Sequence, residues 1–97
     1  MGAAKRWKGY YVQHGEQHEV YFESVTVTNT AIQGMGIDEV GEFDLYGEVS
    51  GNFVNFTKQY RGKHAIAYHG TINDAHTTIE GHWGFFQGDK RDKFLIE

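Results

Sequence analysis

Ninety-seven residues with a formal charge of −4 are enough for one domain and argue against a nucleic-acid binder that works by neutralising phosphates. No cysteine is present, which excludes disulfides and thiolate metal sites and fits a cytoplasmic protein, and no proline interrupts strand pairing. No apolar run approaches transmembrane length, no signal-peptide pattern opens the chain, and Arg6 stands where a myristoylation signal needs Ser or Thr, so no membrane partner is expected.

Alternation with period two runs through the chain, helical periodicity is nearly absent, and turn signals recur about every ten residues. The turns fall at His14-Gly15-Glu16, Thr28-Asn29-Thr30, Asp38 to Gly41, Ser50-Gly51, Arg61-Gly62-Lys63, Asn73 to His76 and Gly88-Asp89-Lys90. Seven turns predict eight strands, over 6–13, 17–27, 31–38, 41–49, 52–60, 64–72, 77–86 and 92–97. The first strand puts Trp7, Gly9, Tyr11 and Gln13 on one face. In the second, Val20 and Phe22 have one parity and Val25 and Val27 the other, which predicts a bulge near Glu23 and Ser24. The third aligns Ile32, Gly34, Gly36 and Asp38, and the fourth Gly41, Phe43, Leu45, Gly47 and Val49. Val54, Phe56, Lys58 and Tyr60 follow on the fifth, and His64, Ile66, Tyr68, Gly70 and Ile72 on the sixth. The seventh contributes Ile79, Gly81, Trp83 and Phe85. The opposite faces carry polar residues such as Glu42, Asp44, Glu48, Asn55, His69, Glu80 and His82, so the sorted faces read as interior and exterior.

Glycine in a strand interior weakens it, yet many of these glycines lie on the apolar face beside large aromatics. Sharp curvature around a narrow interior accounts for both. The predicted fold is therefore all-β: an antiparallel up-and-down meander of about eight strands closed into a small barrel, with residues 1–97 forming a single domain.

The ordered string Trp7-x-Gly9-x-Tyr11-x-Gln13, Ile32-x-Gly34-x-Gly36-x-Asp38, Lys58-Gln59-Tyr60-x-Gly62-x-His64 and Ile79-x-Gly81-x-Trp83 resembles a family of small bacterial β-barrel domains of unknown function. The resemblance spans Trp7 to about Phe94. At greater distance the pattern is similar to calycin-type barrels, the lipocalin and avidin class, in which an early Trp closes one end. Both resemblances imply the barrel and leave function open.

Four polar residues share the interior parity: Asp38, Lys58, Tyr60 and His64. In a meander the turns after the first, third and fifth strands lie at one rim, which gathers these four there with Gln13, and Tyr11 stands behind Gln13 on the same face. A Glu39-Val40 link sets Asp38 opposite Gly41. A Ser50-Gly51 link sets Gly41 opposite Tyr60 and Phe43 opposite Lys58, and the Arg61-Gly62-Lys63 link sets His64 opposite Tyr60. An inward lysine is costly unless paired, so Asp38 and Lys58 read first as an ion pair that plugs the barrel end and holds register. The same cluster also reads as a ligand site, with Lys58 holding an anion and Tyr60, His64 and Gln13 supplying hydrogen bonds.

The expected function is a small binding module for an unknown small molecule or protein, with Asp38, Lys58, Tyr60, His64, Gln13 and Tyr11 as candidate ligand-binding residues. One alternative is an acid/base enzyme at the barrel mouth, for which no nucleophile is identifiable. Another is an interaction or inhibitor domain presenting Glu42, Asp44 and Glu48 to a basic partner. The six histidines match no metal-ligand spacing, so no metal or other cofactor is expected; His69 and His82 face outward on neighbouring strands with Glu80 near His69. Outward Phe86, Phe94 or Leu95 leaves monomer and homodimer both open.

Overall fold

A computed structural model describes residues 6–85 and 89–97. Its strands are β1 Lys8–Gln13, β2 Glu16–Val27, β3 Ala31–Asp38, β4 Gly41–Ser50, β5 Phe53–Tyr60, β6 Ala65–Ile72, β7 Ile79–Gly84 and β8 Asp92–Ile96. Each pairs antiparallel with the next, and β8 returns to β1 to close the barrel. Closure sets Gly9 opposite Ile96 and Tyr11 opposite Phe94, and Lys8 and Glu97 exchange two backbone hydrogen bonds of 2.8 Å. Among the described residues the sheet therefore has no free edge, the feature that makes open sheets prone to pairing with other chains.

The turns follow from their residues. His14 and Gly15 both take positive φ, 54° and 77°, the requirement of a type I′ hairpin, and they join Gln13 to its partner Glu16. Gly51 has φ of 60° and opens a two-residue link between paired Ser50 and Phe53, as a type II′ hairpin requires. This link is Gly51-Asn52, one residue later than the sequence suggests. Register between β4 and β5 consequently moves by two: Phe43 faces Tyr60 and Leu45 faces Lys58. A shift of two keeps every side chain on its own face. The predicted bulge in β2 lies between Phe22, opposite Gly36, and Ser24, opposite Met35. β7 starts at Ile79, later than predicted, because the Asn73 side chain accepts from the backbone N–H groups of Thr77 and Thr78 and holds them in the turn.

The interior parity is the one read from the alternation except at Phe85, which lies past the end of β7 and is 37% exposed. Phe43, Val54 and Ile79 have no exposed surface, and Ile32 and Tyr60 have almost none. Phe94 corrects the expectation of an outward residue on β8. It is buried, because closure places it opposite Tyr11 and Gly81, two interior positions. Leu95, its neighbour, takes the outer side and is half-buried, while Phe86 lies outside the described residues.

Two glycine types differ in physical cause. At Gly70 an added Cβ would lie 2.0 Å from the carbonyl oxygen of Glu80, so the backbones of β6 and β7 come too close for any side chain. Gly15 has open space around it and needs only its left-handed φ. In urea denaturation, Gly70→Ala is expected to lower stability by about 3 kcal/mol through backbone displacement. Gly15→Ala is expected to cost about 1 kcal/mol, the strain of an alanine at positive φ.

Candidate functional site

Asp38 ends β3 and turns its carboxylate into the barrel. Oδ1 accepts from the Val40 N–H at 2.9 Å, an Asx-type turn that orients the group. Oδ2 accepts from the Lys58 ammonium and from the Tyr60 hydroxyl, the latter at 2.7 Å. The Asp38 carboxylate has no exposed surface and the Lys58 side chain only 2%. Lys58 rises from the middle of β5, and its ammonium lies 4.5 Å from the centre of the Phe43 ring and 4.9 Å from those of Tyr11 and Tyr60. The cation is thus held by one carboxylate and by aromatic faces, which stabilise a desolvated ammonium through the ring quadrupole. Removing water from both charges is expensive, and three hydrogen bonds to one carboxylate supply the compensation that such burial demands.

Burial dominates the protonation equilibria here. It holds the Lys58 ammonium below the ordinary lysine value, with Asp38 acting in the opposite direction. It raises Tyr11 to about 12, with Asp38 adding to the effect. It pushes Tyr60 and Tyr68 further up, again helped by the negative charge of Asp38.

The structure brings together Asp38, Lys58, Tyr60 and Tyr11. The grouping survives the two-residue register shift because interior parity is unchanged. His64 is exposed and meets the cluster only through its ring, 5.1 Å from that of Tyr60. It lies past the end of β5, where the Tyr60 N–H donates to the His64 carbonyl. Gln13 stands at the end of β1 opposite Glu16, half-buried. Over the same end, His18 stacks on Tyr11 at 5.0 Å and pairs with Glu39. Between Lys58, Phe56, Tyr68 and Phe94 only about 10 Å³ of internal space remains. That is roughly the least that admits one water molecule.

The larger concavity is on the outside, where β5 to β8 and the start of β1 form a groove of about 750 Å³. β6 and β7 meet there at the pair Gly70–Gly81, and an added Cβ on Gly81 would lie 2.5 Å from the Gly70 Cα. With no side chains to prop it out, the wall dips. Two cross-strand rows of outward side chains flank the dip. One runs Asn55, His69, His82, Lys93, and the other Phe53, Thr71, Glu80, Leu95. Outward His69 and His82 with nearby Glu80 are legible from the alternation; the dip is not, because it depends on how closely two strands approach. Among the described residues no group of three or more His, Asp or Glu side chains is arranged to hold a metal ion.

No protein-family model matches the chain, and neither a curated protein nor a solved structure does so.

Lys58→Met leaves the Asp38 carboxylate buried without its counter-charge and is expected to destabilise by about 3 kcal/mol in chemical denaturation. Adding Asp38→Asn removes that charge, and the double variant is expected to regain most of the loss. A second expectation concerns alkaline pH. Tyrosines in the unfolded chain ionise near pH 10, whereas Tyr11, Tyr60 and Tyr68 stay protonated in the barrel. Their contribution is therefore complete below pH 10 and falls as pH rises above it. Lys58, shifted down, acts oppositely up to its ordinary value of 10.5 and not beyond. Denaturation midpoints measured from pH 9 to pH 12 should fall most steeply above that value, and less steeply in Tyr60→Phe.

Proposed function

We propose that this chain is a binding module that works from the outer wall of its barrel, with the Asp38–Lys58 cluster as an internal brace. The observation that carries this reading is a contrast of space: about 10 Å³ beside Lys58 in the interior, against about 750 Å³ in the groove over β5 to β8. Ligand sites are usually concave, largely apolar and furnished with a few polar groups, and the groove has that composition. The interior cluster instead has its polar atoms engaged with one another, so a ligand there would have to displace Lys58 from Asp38. The acidic alternative has less support, since Arg61 already binds Glu42 at 3.2 Å and Asp44 at 3.0 Å on that face.

Amide-resolved NMR titration with a set of small carboxylates, amines and neutral aromatics tests the reading. Shifts are expected to concentrate at outward positions of β5 to β8. Concentration of the shifts at Tyr11, Asp38 and Lys58 would return the site to the interior and overturn it.

A further inference from the structure

Resting on the outer-wall reading, we infer that the groove binds a small organic anion with a flat apolar body and a hydrogen-bond donor, seated between His69 and Lys93. Three independent observations converge on that chemistry.

The first is an unsatisfied atom. Among the buried side-chain nitrogens and oxygens of the described residues, His69 Nε2 is without a hydrogen-bond partner. Its ring is oriented from the other side, with Nδ1 2.6 Å from Asn55 Oδ1. An amide oxygen there calls for the proton on Nδ1, which leaves the Nε2 lone pair as an acceptor. A buried polar atom without a partner is costly; His69 lines the groove, and a ligand donor that displaces the side chains covering Nε2 would supply the missing bond.

The second is local charge. The chain carries −4 overall, yet Lys90 and Lys93 both line the groove against a single carboxylate, that of Glu80. Among the described residues neither lysine is joined to an acidic side chain in an ion pair. A positive island on an acidic protein attracts and retains anions.

The third is apolar surface at the two ends of one cross-strand row. Phe53, 67% exposed, stands at one end and Leu95 and Tyr10 at the other, with Thr71 and Glu80 between them. His69 and Lys93 sit two strands apart in the neighbouring row, a separation of roughly 10 Å at the usual strand spacing. One aromatic ring with a short acidic chain spans that distance over the intervening His82, its edge toward Leu95, its donor at His69 and its anion at Lys93.

Hydroxyphenylpropanoate, phenylpropanoate and tyramine separate the three contributions, since they differ in the donor or in the sign of the charge. Followed by NMR at the His69 and Lys93 resonances, hydroxyphenylpropanoate is expected to saturate at millimolar concentration. Phenylpropanoate should bind about tenfold more weakly, the worth of one hydrogen bond to a buried acceptor. Tyramine should give no saturable shift. In His69→Phe the hydroxyl advantage should vanish while phenylpropanoate still binds, and Lys93→Gln should weaken both acids alike. Both substitutions are at outward positions, and circular dichroism confirms the fold of each. Equal binding of tyramine, no advantage for the hydroxyl, or no saturable shift with any of the three overturns the inference. If other compounds still perturb the outer wall, the module reading survives that failure; shifts confined to the interior sink both. Shifts at His69 and Lys93 that depend on protein concentration alone would make the groove a face between two copies and would also overturn the inference.

Discussion

A barrel of eight strands encloses a space just wide enough for one set of inward side chains, and here that space contains a salt bridge. The Lys58 ammonium pairs with Asp38 and lies among the rings of Tyr11, Phe43 and Tyr60, so one charged contact joins residues from β1, β3, β4 and β5. Its desolvation is tolerable only if every strand holds its register, because a one-residue slip would send Lys58 to solvent and leave Asp38 alone. The Asx turn at Val40 and the Tyr60 hydroxyl tighten the same constraint from the ends of β3 and β5. Apolar packing surrounds this centre: Phe56 stacks on Tyr68 at 5.0 Å, and Phe94 meets both rings edge-on.

The narrow interior shapes the exterior as well. Glycines at Gly47, Gly70 and Gly81 let strands approach to distances that a Cβ would forbid. At the Gly70–Gly81 pair this close approach coincides with the outer groove, which both glycines line. The core and the outer groove are thus linked by curvature. A substitution that relaxed the glycine pair would disturb the packing of Tyr68 and Phe94 and the shape of the groove together.

Much of the architecture was legible in the chain. Parity places Val54, Phe56, Lys58 and Tyr60 inside whatever the loop geometry, because a strand alternates faces residue by residue. The β2 bulge was legible because Val20 and Val25 cannot both face inward without one extra residue between them. The β4–β5 register was not, since Ser50-Gly51 and Gly51-Asn52 are both plausible two-residue links, and only the φ of Gly51 decides between them. His64 shows the limit of parity at a strand end: it has the inward parity, but β6 begins at Ala65 and its side chain remains exposed.

The sequence by itself determined the class of fold, the strand count and the set of inward residues, including the pairing of an inward lysine with an inward aspartate. These depend on local alternation, on turn residues and on the cost of burying an unpaired charge, all of which act over a few neighbouring positions. The tertiary structure alone decided that the aromatic rings fill the interior, that Phe94 joins them, and that the larger concavity lies outside over β6 and β7. Those features depend on how closely strands distant along the chain approach once the barrel closes, and no local pattern encodes that distance.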